Sequence, residues 1–210
     1  MEPIIKRISL VIALLFAALI ASTGCTSIDT GTVGVVKHFG ATQPYVLTEG
    51  FHYIRPWPFA DVIDVSVTVS PTEAEAAAAS KDLQSAMAKV TVQWSVTAHM
   101  APKLVQGFGY QEGVWAGGIM APAIQEVVKA TAAQYTAEQL ITKRADVKLG
   151  IEQGLAAFVE HTLKQKGCLG AIKIANVAVT NFHFSKEFDL AIEAKVKAEQ
   201  SALQAENDKR

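Results

Sequence analysis

Residues 86–96 read Ala86-Met87-Ala88-Lys89-Val90-Thr91-Val92-Gln93-Trp94-Ser95-Val96. Ala86, Ala88, Val90, Val92, Trp94 and Val96 alternate with Met87, Lys89, Thr91, Gln93 and Ser95. A period of two sustained over this length is a strand with one buried and one wet face. Ile63, Val65, Val67 and Val69 alternate likewise with Asp64, Ser66, Thr68 and Ser70. Between these runs, Glu73–Ala79 is rich in Ala and Glu and would be helical on propensity alone. It reads here as a partly extended link, so the two flanking strands are expected to form an antiparallel pair. Further toward the N-terminus, Thr32–Phe39 (TVGVVKHF) is strand-like and ends in Gly40; short β-like pieces follow, punctuated by Glu49-Gly50, Pro56 and Pro58.

On the C-terminal side the pattern turns helical. Ala101–Phe108 is a short helix, and a longer one covers Val114–Ala133, with Ile119, Ile124, Val127 and Val128 on its apolar face. Pro122 should start or kink that helix. Thr136 and Gln139 form a capping-box pair opening a brief helix that ends near Thr142. Val147, Ile151, Leu155, Phe158, Val159 and Leu163 lie at helical spacing across Arg144–Lys166, and Gly167 stands where a C-terminal glycine stops a helix. Ala171–Phe184 returns to β, with a change of phase near Asn176 that suggests a bulge. Ser185 can cap a last helix, Lys186–Arg210, dense in Ala, Glu, Lys and Gln. Strands, then helices, then strand and helix make an α+β chain.

Half of the 210 residues are hydrophobic and a fifth are charged, enough for a buried core, and the net charge is −1. Phosphate neutralisation needs a basic face, so nucleic acid is not an expected partner. The first 25 residues read as a signal or membrane anchor: Lys6 and Arg7 precede the apolar run Ile8–Ala21. As a helix that run rises about 21 Å, against a hydrocarbon core of about 30 Å. The two basic residues should stay cytoplasmic, leaving the rest on the non-cytoplasmic side, in a bacterial envelope the periplasmic face. Ser22-Thr23-Gly24-Cys25 has the small residues that precede a lipidated cysteine, although Ser22 stands where leucine is usual. Lipidation at Cys25 is the favoured reading, with an uncleaved transmembrane anchor and free secretion as alternatives. Cys168 is expected to be a small buried residue at a helix-to-strand turn; a Cys25–Cys168 disulfide competes with that reading.

Chemistry-bearing motifs are sparse. His38, His52, His99, His161 and His183 show no ligand spacing, and no Cys/Asp/Glu cluster accompanies them. Gly107-Phe108-Gly109 and Gly117-Gly118 lack the pattern of a phosphate loop. No nucleophile elbow or zinc-protease motif occurs. No catalytic residue, cofactor site or metal site is expected. Pro56-Trp57-Pro58-Phe59 is a stiff aromatic loop after Arg55. Trp57 and Phe59 either cover a small β core or dip into the bilayer interface with Arg55 at the headgroups. Trp115 reads as core or a subunit contact. Phe188, Ile192, Val196 and Leu203 follow spacings of four, four and seven, which makes one narrow stripe suited to self-association.

Four stretches together resemble the SPFH/Band 7 (prohibitin/stomatin-like) family, over about Gly31 to Arg210. They are Gly31–Gly40 with Glu49-Gly50-Phe51-His52-Tyr53; Ser80-Lys81-Asp82-Leu83-Gln84; Tyr135-Thr136-Ala137-Glu138-Gln139-Leu140-Ile141 with Lys143-Arg144; and Asn181-Phe182-His183-Phe184-Ser185 with Phe188, Ala191-Ile192-Glu193 and Ala198-Glu199-Gln200. The resemblance implies a membrane-proximal β-rich subdomain over 28–70, an α+β subdomain over 71–185, and the start of a coiled-coil helix over 186–210. It also implies a scaffold, not an enzyme, that assembles with itself into rings or cages on membrane lipid. That role would organise a microdomain and extend to regulating a membrane-bound AAA protease. A monomeric envelope lipoprotein, acting as a ligand-binding module or adaptor, is the alternative. Family members continue into a long charged helix, whereas this sequence stops at Arg210, which puts ring closure through a long coiled coil in question.

Overall fold

The fold is described from a computed structural model, which defines residues 10–12, 24–55, 58–110 and 113–184, and positions 188, 190, 192, 194, 197, 198, 200, 201 and 204 of the C-terminal segment. Its strands are β1 (Cys25–Ile28), β2 (Thr32–His38), β3 (Ala41–Leu47), β4 (Gly50–Tyr53), β5 (Ala60–Ser66), β6 (Ser70–Ala79), β7 (Ser85–Val96) and β8 (Ile172–His183). Its helices are α1 (Ala101–Phe108), α2 (Ala121–Ala132), α3 (Ala137–Thr142) and α4 (Arg144–Gln165). The architecture is α+β, with three sheets ordered β1-β4, β3-β2-β5 and β6-β7-β8.

The chain divides into two compact units. The first comprises residues 1–70, 93–118 and 159–175; the second comprises 71–92, 119–158 and 176–210. In the first, β2 is the central strand of its sheet and pairs antiparallel with both neighbours. Val33, Val35 and Val36 of β2 and Val65 of β5 are buried, as a β-branched central strand requires. Helix α1 packs on β2 and β3 with Leu104 and Val105 inward.

In the second unit, the alternation of β7 sorts as expected: Ala86, Ala88, Val90 and Val92 are buried, while Met87 and Lys89 are exposed. Residues 70–79 are a full strand, not a partly extended link. Thr72, Ala76 and Ala78 face inward while Glu73, Glu75, Ala77 and Ala79 face solvent, so period-two burial overrides the helical propensity of the composition. The expected pair of flanking strands is therefore not formed. β5 belongs to the sheet with β2, and β6 takes the place beside β7. The alternation also ends early: β5 stops at Ser66, and Val69 is exposed.

The helix boundaries follow local chemistry. The expected helix from Val114 begins as a π-helical turn over Ala116–Met120, and Pro122 then sits in the first turn of α2, where its missing N–H costs nothing. At α3 both halves of the capping box are present: the Gln139 N–H donates to Thr136 Oγ1 (3.2 Å) and the Thr136 N–H donates to Gln139 Oε1 (3.1 Å). Helix α4 buries Val147, Ile151, Leu155, Val159 and Leu163 along one stripe. It ends in a Schellman motif: the Gly167 N–H donates to the Lys164 carbonyl, the Cys168 N–H donates to the Leu163 carbonyl, and Gly167 takes φ 69°. Strand β8 shows the expected change of phase, with Ala175 and Asn176 exposed in succession between buried Ile172 and Val177.

Candidate functional site

In the first unit, β2 and β3 join through a two-residue turn. His38 pairs with Ala41, and Phe39 and Gly40 between them take φ values of 50° and 82°. Two positive φ values are the signature of a type I′ turn, whose twist suits a hairpin. Glycine or asparagine ordinarily occupies the first of these positions, because a Cβ there is strained. Here the residue is phenylalanine, and its side chain is 75% exposed. The Phe39 N–H donates to the Phe59 carbonyl (3.1 Å), and the two rings meet edge to face with centroids 5.7 Å apart. Phe59 is itself 44% exposed.

A second group of aromatics lies on the β1-β4 ribbon. Cys25 pairs with Tyr53 and Ser27 with Phe51, and both aromatic side chains are exposed. Because Cys25 follows the apolar N-terminal run almost directly, pairing puts Tyr53 beside the point where that run meets the fold. Arg55 is exposed two residues later, and Trp57 lies outside the described residues. Thus Phe59 and Arg55 are placed at the surface, joined by Phe39, Phe51 and Tyr53, which sequence reasoning missed. The Phe39-Gly40 dipeptide between two β-like runs was the one available signal. A phenylalanine gives no hint that it will occupy a left-handed turn position.

The remaining sequence-flagged residues scatter. Cys25 is exposed at the start of β1; Cys168 is fully buried between α4 and β8, and both thiols are free. Burial pushes the Cys168 thiol up in pKa, and its S–H donates to the Leu163 carbonyl. Trp115 is buried against Tyr110, edge to face at 5.8 Å. Phe188 and Ile192 are half-buried and helical, and Phe188 stacks obliquely on Phe184 at 5.1 Å. Val196 and Leu203 lie outside the described residues. The histidines do not converge: His52 hydrogen-bonds the Thr48 carbonyl at 2.7 Å, and His161 meets Gln165 at 2.9 Å. Among the described residues no group of three metal-ligating side chains comes together, and no helix is long and apolar enough to cross a membrane.

The second unit carries a polar clasp on the β6-β7 turn. Asp82 Oδ1 accepts from the Ser80 hydroxyl and from the Ala137 N–H (3.0 Å), and the Lys81 N–H donates to the Tyr135 carbonyl (2.8 Å). The Ser80 hydroxyl, helped by the Ala137 amide, holds the Asp82 carboxyl below the usual carboxylate range. Beyond the clasp, a cavity of about 200 Å³ opens among α3, α4 and β8.

The described surface thus carries exposed aromatic side chains on the β2-β3 turn and the β1-β4 ribbon, and a hydrogen-bonded clasp at the β6-β7 turn. Comparison with known proteins identifies the family. The family model described as "SPFH domain / Band 7 family" matches residues 26–210, and the chain belongs to that family. It is similar to prohibitin-2 of Schizosaccharomyces pombe, 28% identical over 93% of this chain and 64% of that protein. Prohibitin-2 of Mus musculus is 31% identical over 80% of this chain and 52% of its own length. Prohibitin-1, mitochondrial, of Arabidopsis thaliana is 32% identical over 76% and 51%. The chain thus spans about half to two thirds of the length of the curated relatives it matches.

Proposed function

We propose that this protein is a membrane-anchored scaffold that assembles with copies of itself and organises the membrane around it. Membership of the SPFH family supports the scaffold role. The observation that carries the membrane side is the exposed Phe39–Phe59 pair with Tyr53 set opposite Cys25. Aromatic side chains with a basic neighbour suit the bilayer interface, where rings meet the acyl boundary and Arg55 meets headgroups. Trp57 joins this lipid contact in the same reading. Residues 1–25 supply the anchor through lipidation at Cys25, with an uncleaved helix as the competing form. The fold then stands on the non-cytoplasmic side, the periplasmic face of a bacterial envelope.

In this proposal residues 28–70 form the membrane-proximal part, 71–185 the body, and the helix from 186 the assembly seam through Phe188, Ile192, Val196 and Leu203. Regulation of a membrane-bound AAA protease is the further role that family membership suggests. Sedimentation of the full chain in mild detergent tests the scaffold: a species many times 22.5 kDa is expected. A 22.5 kDa species would favour the alternative, a monomeric lipoprotein that binds a ligand or acts as an adaptor.

A further inference from the structure

The connection from α4 to β8 is a bonded turn with an apolar tip. The Ala171 N–H donates to the Cys168 carbonyl (3.0 Å), which closes a β-turn over Leu169 and Gly170. Gly170 takes φ 79°, the positive value that a type II turn needs at its third residue. Thr97, directly after β7, fixes the turn from one side. Its N–H donates to the Ala171 carbonyl (2.8 Å) and its hydroxyl to the Gly170 carbonyl (2.8 Å). On the other side the Cys168 N–H donates to the Leu163 carbonyl (3.0 Å). Leu169 therefore stands on a fixed base, and it is 52% exposed.

Lysines from three elements meet at this turn. Lys164 and Lys166 stand at the C-terminal end of α4, Lys173 on β8 two residues past Ala171, and Lys103 on α1; all four are exposed. A Cβ on Gly107, one turn after Lys103, would lie 3.3 Å from Lys166 Cβ and 3.8 Å from Cys168 Sγ, so α1 abuts the turn. Burial raises the Cys168 pKa, and the charges of Lys103 and Lys166 act on the thiol in the opposite sense, as close neighbours do. Glu160, one turn before Lys164, is the last acidic residue before Glu187. Among the described residues none of the four lysines has an ion-pair partner. The helix dipole favours Lys164 and Lys166 at the end of α4, but it gives no reason for Lys103 and Lys173, which come from other elements.

We propose that this turn docks on an anionic lipid surface, with Leu169 at the acyl boundary and Lys103, Lys164, Lys166 and Lys173 against the headgroup phosphates. This rests on the membrane anchoring proposed above and names the headgroup charge that the protein selects. Two observations commit the surface to lipid. An exposed leucine among unpaired lysines has the composition of an interfacial membrane contact. The turn also belongs to the compact unit that begins at the anchor, since residues 1–70, 93–118 and 159–175 form one unit. A tether ending at Cys25 keeps that unit at the bilayer, so a contact too weak to bind alone still forms. Each lysine near an anionic surface strengthens such a contact about fivefold.

The full chain with Leu169→Cys, labelled with a thiol-reactive dye and reconstituted in vesicles that carry a lipid-borne quencher, tests this. Wild type labelled alongside gives the background from the exposed Cys25 thiol. In vesicles of phosphatidylcholine mixed with phosphatidylglycerol the dye should be quenched. Quenching should fall at least about fivefold in phosphatidylcholine alone, and equally when Lys164→Gln, Lys166→Gln and Lys173→Gln are added. Equal quenching in both vesicles, unmoved by the lysine replacements, would overturn the proposal. A dye shielded in detergent without phospholipid would give the turn to a second copy and also overturn it. A label at Phe59→Cys separates the two readings. Quenching at 59 with none at 169 would overturn this contact alone, and quenching at neither would remove the membrane contact on which it rests as well.

Discussion

Phe39 holds a backbone conformation that phenylalanine disfavours, and most of its ring is exposed. Stability alone would favour asparagine there. Phe39→Asn should therefore leave thermal stability unchanged or raise it by about 1 kcal/mol. The double variant Phe39→Asn with Phe59→Ser should bind anionic liposomes at least about tenfold more weakly, since burial of one aromatic ring in an apolar phase exceeds about 1.4 kcal/mol. Chemical denaturation beside liposome co-sedimentation separates the outcomes; a large stability loss with unchanged binding would make both rings structural. Asp82 offers a pH test. Its folded-state pKa is lowered, chiefly by the Ser80 hydroxyl, so its contribution is present above the unfolded value of about 3.9 and lost as pH falls through the folded one. Asp82→Ala should cost on the order of 1 kcal/mol between pH 5 and 8, with the deficit shrinking below about pH 4. Denaturation midpoints across that range check it. At this scale the sequence hid most of the site. Exposure and left-handed φ belong to the fold, and a phenylalanine or leucine announces neither.

Elements were legible where a local rule decided them. The β7 alternation, the Thr136–Gln139 capping box, the α4 stripe and the Gly167 stop all appear as expected. They depend on residues a few positions apart. The misreadings lie at β6 and at the partner of β5, where composition competes with pairing across long sequence separations. Alanines and glutamates of residues 73–79 favour a helix by a few tenths of a kcal/mol each. Half-burial beside β7 outweighs that preference. A close approach between helices was equally hidden. Gly154 of α4 leaves no room for a methyl group, which would lie 2.6 Å from Val127 Cγ1 of α2. Gly154→Ala gains about 1 kcal/mol in helix propensity but forces the two helices apart. A net loss of about 1–2 kcal/mol is expected in urea denaturation. A gain would show that α2 and α4 yield without cost.

At the scale of the whole molecule, the proposed role of this SPFH-family fold is an assembled, membrane-bound scaffold. Two proposed surfaces share the work: an aromatic tip for lipid and a helical stripe for affinity. In this proposal the stripe is separable from the fold. Val196→Asp with Leu203→Asp should reduce oligomer size while the body before Ser185 keeps its thermal transition, as sedimentation and calorimetry would show. A helix of this mixed, highly charged composition is marginal alone in water, so its stability should fall with the oligomer. The most direct measurement is the mass and shape of the particle that the full chain forms in native membranes, by electron microscopy of membrane-embedded protein. The account expects closed or arc-shaped assemblies of many copies standing on the bilayer. Single 22.5 kDa copies, dispersed and without neighbours, would contradict it.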